Sequence, residues 1–152
     1  LPAPANTYYI VVGADDGSLI VYDQSKQQFI DLGTRGIVID GQIGCISIKN
    51  NSIVIASSMG QVAHYPLIGS SMQPSDPDMI DFHNVESAVV AIHMDDMNNE
   101  GLIGTEAGCI HYVNFSDKMI VPLVQSNNGQ QDRVDFCQYD PQNQQVFLTS
   151  CG

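Results

Sequence analysis

VGADDGSLIVY, residues 12–22, decides the fold because two later stretches follow the same pattern. These stretches are IASSMGQVAHY, residues 55–65, and IGTEAGCIHYV, residues 103–113. In each, an apolar run reaches two small or hydroxyl-bearing residues, two variable residues follow, and an unvarying glycine comes next: Gly17, Gly60 or Gly108. An aliphatic residue stands two places after that glycine. The chain therefore contains an internal repeat, which the last residues, VFLTSCG, begin a fourth time.

The spacing of the repeat indicates the fold class. Gly17 and Gly60 are 43 residues apart, and Gly60 and Gly108 are 48 apart. A period of about 40–45 residues with strand-type segments is typical of a β-propeller, in which each repeat forms one four-stranded blade. Helical periodicity is nearly absent. We predict an all-β fold in which residues 1–152 are part of one propeller, with about three and a quarter blades of four antiparallel strands.

Turn residues between apolar runs set the predicted boundaries. The blades are predicted at 8–32 (partial), 43–86, 87–126 and 133–152 (the start of a fourth). Their strands are predicted at 8–12, 19–23 and 28–32; 45–49, 52–57, 61–65 and 79–82; 88–94, 101–105, 109–114 and 118–124; and 134–139 and 145–150. Such a piece alone leaves sheet faces and an edge strand exposed. We therefore expect it to be a fragment of a larger ring, packed against the remaining blades of the same parent protein.

The repeat predicts a tight turn at the acidic centre of the opening stretch. Asp15-Asp16-Gly17 aligns with Ser58-Met59-Gly60 and with Glu106-Ala107-Gly108, so the glycine is kept and the acidic pair is not. Glycine adopts a positive φ at little steric cost, as hairpin turns require. We interpret Gly17, Gly60 and Gly108 as structural turn residues, and expect no metal or phosphate at the acidic pair.

These residues resemble the WD40-repeat family over essentially the whole chain, in a degenerate form. No Trp is present, and Tyr22-Asp23 stands where that family has Trp-Asp. His83 is a poor substitute for the missing Gly-His dipeptide, so the hydrogen-bond network of a strong repeat is not carried over. EGLIGTEAGCIHYVNFSDKMIVPLVQS, residues 100–126, is similar to the large multi-propeller WD40 proteins of centrioles and ciliary axonemes. The resemblance implies a structural role in the cytoplasm, in a microtubule-associated complex of the cilium, its axoneme or the centriole.

The net charge restricts the partners. Five basic and seventeen acidic residues give a net charge of −12, which repels nucleic acid and anionic lipid. We predict no nucleic acid and no membrane as partner, and expect other proteins, with a basic surface the natural complement. Any contact with the acidic microtubule surface is expected to be indirect. The alternative reading is that the charge only keeps the molecule soluble.

The chain shows no motif of a catalytic, cofactor or metal site. His64, His93 and His111 lie on predicted strands without Cys or Asp at ligand spacing, so we expect satisfied or solvent-facing histidines and no zinc. The four cysteines form no Cys-x-x-Cys pair and are interpreted as free buried thiols: Cys45, Cys109, Cys137 and Cys151. We predict that the protein is not an enzyme and has no cofactor.

One long connection is a candidate contact surface. PLIGSSMQPSDPDMIDFHNVES, residues 66–87, exceeds what a blade needs, and long loops often carry function. Its predicted contacts are Leu67, Ile68, Met72, Asp76 and Asp78. The alternative is a tolerated surface insertion. We predict a non-enzymatic protein–protein interaction scaffold. The alternatives are a WD40 adaptor in trafficking or ubiquitin ligation, or a propeller enzyme or small-ligand receptor with its site at the channel mouth. The apolar strand starts Cys45, Ala88 and Val134 argue against that last site.

Overall fold

The computed structural model describes residues 9–30, 39–49, 52–66, 81–124, 134–140, 142–143 and 145–150. These residues form antiparallel β-sheets whose strands follow one another in chain order. The strands are, in sheet 1, β1 (Tyr9–Gly13), β2 (Leu19–Asp23) and β3 (Gln28–Ile30); in sheet 2, β4 (Ile43–Lys49), β5 (Ser52–Ser57), β6 (Gln61–Pro66) and β7 (Asp81–Asn84); in sheet 3, β8 (Val89–Met94), β9 (Glu100–Thr105), β10 (Ile110–Asn114) and β11 (Met119–Val124); and in sheet 4, β12 (Val134–Asp140) and β13 (Gln145–Ser150). No helix that could cross a bilayer occurs in these ranges.

The observed strands differ from the predicted ones mainly at two places. Strand β7 was predicted at 79–82 and lies at Asp81–Asn84, because it pairs with β6 through Gln61↔Asn84 and His64↔Asp81. Strand β4 starts at Ile43, two residues before its predicted start, because a β-bulge lets the pairing with β5 continue past Cys45. The part of the predicted third strand beyond Ile30 falls outside the described residues.

Each pair of neighbouring sheets encloses its own hydrophobic core. Strand β5 is buried along its whole length because its alternate side chains serve two cores. Ile53 and Ile55 face sheet 1, where they meet Leu19 and Val21, whereas Val54 and Ala56 face sheet 3. Sheets 3 and 4 share a smaller core of Ala91, Leu102, Ile110 and Cys137. Burial of one large aliphatic side chain contributes roughly 1.5–3 kcal/mol. The apolar side chains packed between neighbouring sheets are therefore the main interactions that hold the stack together.

Sheet 1 presents an apolar face that the described residues leave exposed. Its alternation buries Leu19 and Val21 against sheet 2 and turns the other face outward. The side chains on that face are 44–72% exposed: Ile10, Val12, Ile20 and Phe29. Sheets that are apolar on both faces are typical of interiors where another layer covers each face.

A β-bulge recurs at the start of the first strand of each sheet from the second on. The register shifts between Ile43 and Cys45 in β4, between Val89 and Ala91 in β8, and between Val134 and Phe136 in β12. Bulges bend a strand and increase its twist. The contacts of β8 with β4 and with β12 show that these bulged strands are neighbours in the stack.

The turn between β1 and β2 and the turn between β5 and β6 are each approached closely by the segment that leads into the next sheet. Gly17 and Gly60 have φ values of 82° and 78°. A Cβ at Gly17 would overlap the carbonyl oxygen of Ile39, and one at Gly60 would overlap that of Val85. Glycine is therefore required at these turns by the backbone conformation and also by this close approach.

Candidate interaction cleft

A cleft lies between sheets 2 and 3, and the turn at residues 105–109, between β9 and β10, forms one side of it. Hydrogen bonds between a side chain and the backbone stabilise this turn. The hydroxyl oxygen of Thr105 accepts a hydrogen bond from the backbone N–H of Cys109 at 3.0 Å. Ser57 does the same for Gln61 at 3.3 Å in the turn after β5. Both hydroxyls are buried in the interior, and Gly108 has a φ of 79°. These bonds fix the first turn residues in place, as is common for Ser and Thr in turns.

The acidic pair at residues 15–16 belongs to the equivalent turn of sheet 1. Ala14 stands where the other repeats have a hydroxyl, so it cannot accept the corresponding hydrogen bond. The Oδ1 atom of Asp16 accepts it instead, from the N–H of Ser18 at 2.9 Å. A hydrogen bond with the Ser18 side chain and, to a lesser degree, this backbone bond lower the pKa of Asp16 below its ordinary value. The carboxylate therefore substitutes for a hydroxyl within a turn, which explains why it need not recur.

The interaction cleft lies between sheets 2 and 3, at the end of the sheets where these turns cluster. Its volume is about 540 Å³, within the range of roughly 300–1,000 Å³ that is common for binding sites. One wall is the segment that follows β7, and the other combines the turn after β9 with β10 and the edge strand β11. The lining residues are Asn84, Val85, Glu86, Ser87, Thr105, Ala107, Cys109, His111, Ile120 and Pro122.

Backbone hydrogen bonds hold the walls of the cleft in place. The N–H of Val85 donates to the carbonyl oxygen of Gly60 at 2.8 Å, which fastens the first wall to sheet 2. The N–H of Glu106 donates to the carbonyl oxygen of Ala88 at 2.9 Å, which joins the two walls at the base. Pro122 is accommodated because β11 is the last strand of its sheet and its outer edge needs no donor. The cleft is therefore preformed.

Glu86 and His111 both line the cleft, from its two walls. His111 extends from β10, and its Nδ1 atom is buried without a hydrogen-bond partner among the described residues. Burial lowers the pKa of His111, and the negative charge of Glu86 opposes that shift in part. The imidazole is therefore neutral at pH 7, beside an exposed carboxylate.

The other predicted histidines lie elsewhere. His64 stacks on the buried ring of Phe115, with 4.8 Å between the ring centroids, and His93 lies in β8. No group of three or more His, Cys, Asp or Glu side chains in the described part of the chain could hold a metal ion.

The cysteines that the structure describes are free thiols, but only one of them is buried. Cys137 lies in the core between sheets 3 and 4, and burial raises its pKa to about 11. Cys45 and Cys109 are half-buried, contrary to the expectation of buried thiols, because Cys45 follows the bulge of β4 and Cys109 lines the cleft. Cys151 lies outside the described residues.

Asp23 stabilises the turn that follows β2. Its Oδ1 atom accepts hydrogen bonds from the N–H of Ser25 at 2.9 Å, the hydroxyl of Ser25 at 2.6 Å and the N–H of Lys26 at 3.1 Å. The hydroxyl bond is the main cause that lowers the pKa of Asp23. The role of this residue is local.

The predicted contact residues of the long connection, Leu67, Ile68, Met72, Asp76 and Asp78, lie outside the described residues. The end of the same connection, however, supplies the wall of the cleft from Asn84 to Ser87. Glu86 and His111 are 25 residues apart in the sequence, and only the stacking of sheet 3 on sheet 2 places them at one site.

No protein-family model matches the chain, and no curated protein matches it. Solved structures do match. The chain is similar to one in the crystal structure of the mitotic checkpoint complex, with a TM-score of 0.67 and 14% identity over 95% of this chain and 42% of that one. It is also similar to two computationally designed proteins, each at 21% identity. For Ika8 the TM-score is 0.68 over 93% of this chain and 40% of that one; for Ika4 it is 0.63 over 95% and 86%.

In the first two of these matches, this chain spans about two fifths of the length of the matched chain. Together with the consecutive antiparallel sheets, the similarity confirms the predicted all-β, partial-propeller fold.

Proposed function

We propose that the protein is a non-enzymatic scaffold that binds other proteins through surfaces displayed by rigid sheets. The observation that carries this proposal is the preformed cleft of about 540 Å³ between sheets 2 and 3. Propeller-like structures include a component of a protein complex, which is consistent with this role.

The construction of the cleft favours binding of a partner over bond chemistry. Its walls come from two sheets that share a hydrophobic core, so the groups that line it keep their relative positions. A preformed site loses little conformational entropy when a partner binds. The side chains that line it are mixed polar and apolar, as interfaces with proteins are.

Site-specific photocrosslinking tests this role. A photoreactive amino acid placed at Ala107, which lines the cleft, is expected to give discrete crosslinked products in the full-length protein within its own cells. The matched control is the same substitution at Met97, which is 57% exposed at the opposite end of sheet 3. Products that are absent at both positions, or identical at both, would contradict a specific interface at the cleft.

We further propose that the assembly is a cytoskeletal one, in the cilium, its axoneme or the centriole. The support is the similarity of residues 100–126 to the multi-propeller WD40 proteins of those structures. The net charge of −12 favours basic protein partners and an indirect link to the acidic microtubule surface.

Crosslinking mass spectrometry on the full-length protein, captured from ciliated cells, tests this assembly. Axonemal or tubulin-associated proteins crosslinked to the cleft walls are the expected result. Vesicle-coat or ubiquitin-ligase partners would retain the scaffold and exclude the ciliary role. Salt-independent co-sedimentation of the purified protein with bare microtubules would overturn the indirect link.

A further inference from the structure

The repeat identifies the kind of surface that fits the open face of sheet 1. On that face, Val12 occupies the repeat position of Ile55 in sheet 2 and Ile103 in sheet 3, and Ile20 occupies that of Ala63. Ile55 and Ala63 pack toward sheet 1, Ile103 packs toward sheet 2, and all three are fully buried. Val12 and Ile20 are about half exposed. The open face is therefore the side of a sheet that, elsewhere in this chain, packs on the sheet before it.

The other end of the stack exposes the opposite side of a sheet. Ile120 of β11 packs into the core between sheets 2 and 3, so the alternation turns Met119, Val121 and Leu123 to the other side of sheet 3. These three side chains, the β11 face, are 37–50% exposed. Sheet 4 packs on the same side of sheet 3 around Leu102, and the described residues leave the part along β11 exposed.

The pairing of Val121 shows that the β11 face matches a surface that is covered in sheet 1. Val121 pairs with Tyr112 as Ile30 pairs with Val21, and the repeat places Tyr112 and Val21 at the same position. Ile30 packs against the core that sheets 1 and 2 share. The β11 face is therefore the side of a sheet that packs on the sheet after it. The two ends of the chain expose the two halves of a contact that recurs within the chain.

We propose that two copies of this chain associate head to tail, with the open face of sheet 1 of one copy packed on the β11 face of the other. This contact continues the series formed between sheets 1 and 2 and between sheets 2 and 3, so a second copy supplies the matching surface without a change of fold. It is a heterologous contact, since each copy contributes a different surface. Burial of the exposed apolar side chains at both ends stabilises it.

The charge of the chain predicts how this association responds to salt. The net charge of −12 makes two copies repel each other, whereas the exposed side chains that form the contact are uncharged. Salt screens the repulsion and leaves the apolar burial in place, so the association is expected to tighten as the concentration of sodium chloride rises. Dilution separates the copies, so Phe29 of the open face is exposed in dilute solution.

Analytical ultracentrifugation of the 152-residue chain tests the association. A concentration-dependent mass of at least two copies of 16.5 kDa is expected. A mass that stays at one copy at every concentration and salt level would overturn the proposal and leave the open face to the remaining blades of a larger ring.

Two variants separate the head-to-tail contact from other arrangements. Ile20→Asp on sheet 1 and Val121→Asp on β11 are each expected to raise the dissociation constant about tenfold or more, because each places a carboxylate in the apolar contact. An equimolar mixture of the two variants is expected to recover association, since the intact β11 face of Ile20→Asp can receive the intact sheet 1 of Val121→Asp. Recovery in the mixture also shows that both variants are folded.

The control variant is Met59→Asp, which adds the same charge at an exposed turn of sheet 2, away from both surfaces. It is expected to leave the dissociation constant unchanged, and an equal effect would indicate general repulsion and contradict the contact. If Val121→Asp alone associates as tightly as the parent chain, two open faces of sheet 1 pack on each other and the head-to-tail arrangement is wrong. The crosslinks from position 107 test the cleft separately, so either proposal can fail without the other.

Discussion

Asn98 of sheet 3 and Ser47 of sheet 2 exchange two hydrogen bonds across the boundary between their sheets. The hydroxyl of Ser47 donates to Oδ1 of Asn98 at 2.8 Å, and Nδ2 of Asn98 donates to the carbonyl oxygen of Ser47 at 3.0 Å. The same Nδ2 donates to the carbonyl oxygen of Ser52 at 3.1 Å. Asn98 is fully buried and has a φ of 58°. The amide therefore locks the turn between β8 and β9 onto strands β4 and β5.

Removal of this amide should destabilise the protein. Asn98→Ala is expected to lower the free energy of unfolding by about 2–4 kcal/mol, because buried carbonyl oxygens lose their donor and alanine is strained at a positive φ. Asn98→Gly relieves that strain and should lower it by about 1 kcal/mol less. Urea denaturation of both variants measures the two contributions. Full stability of the glycine variant would show that the interaction of the side chain contributes nothing.

The close approach of the Val85 carbonyl group to the turn at Gly60 gives a second prediction. Gly60→Ala should lower the free energy of unfolding by about 3 kcal/mol or more, because φ is 78° and a Cβ would overlap the carbonyl oxygen of Val85. The control is Gly44→Ala, where a Cβ would lie 3.6 Å from the carbonyl oxygen of Val89. That change should cost less than about 1 kcal/mol. Equal midpoints of thermal unfolding for the two variants would contradict the close approach.

The features that could be predicted from the sequence are those determined locally. Alternation of apolar residues defined most strands to within two residues, because side chains point to opposite faces at successive positions. The repeat of Gly17, Gly60 and Gly108 marked the turns, because the requirement for glycine is a property of the turn backbone itself.

The features that could not be predicted depend on contacts between distant residues. Asn98 and Ser47 are 51 residues apart, and nothing near Asn98 indicates that its side chain will be buried in the neighbouring sheet. Glu86 and His111 meet only after two sheets have stacked. The bulges of β4 and β8 depend on the register with the following strand, which the strand sequences do not fix.

The two phenylalanines Phe115 and Phe29 provide a matched test of the core between sheets 2 and 3. Phe115 is 3% exposed and contacts the rings of His64 and His83, whereas Phe29 is 72% exposed on the open face of sheet 1. Phe115→Ala is expected to lower the free energy of unfolding by about 3–5 kcal/mol. Phe29→Ala should change it by less than about 1 kcal/mol. Chemical denaturation measures both, and a similar loss for Phe29→Ala would show that its face is buried in solution.

His111 should make stability depend on pH between neutrality and mild acid. Its folded-state pKa is lowered by burial below the ordinary value of 6.5, so the unfolded chain binds the proton more readily than the folded chain. Its contribution is therefore complete above pH 6.5 and decreases as the pH falls through 6.5 toward the folded-state pKa. His111→Gln should flatten the dependence of the unfolding free energy on pH between 7 and 5.

Glu86→Gln should act in the opposite direction, because it removes the charge that raises the pKa of His111 and so makes the decline steeper. The lowered pKa values of Asp16 and Asp140 do not interfere. Their stabilising contributions are complete above the ordinary value of 3.8 and decrease only as the pH falls below it. Urea denaturation at half-unit pH steps compares the two variants with the parent chain. An unchanged slope in His111→Gln would show that the imidazole is solvated and that the cleft is open to water at its base.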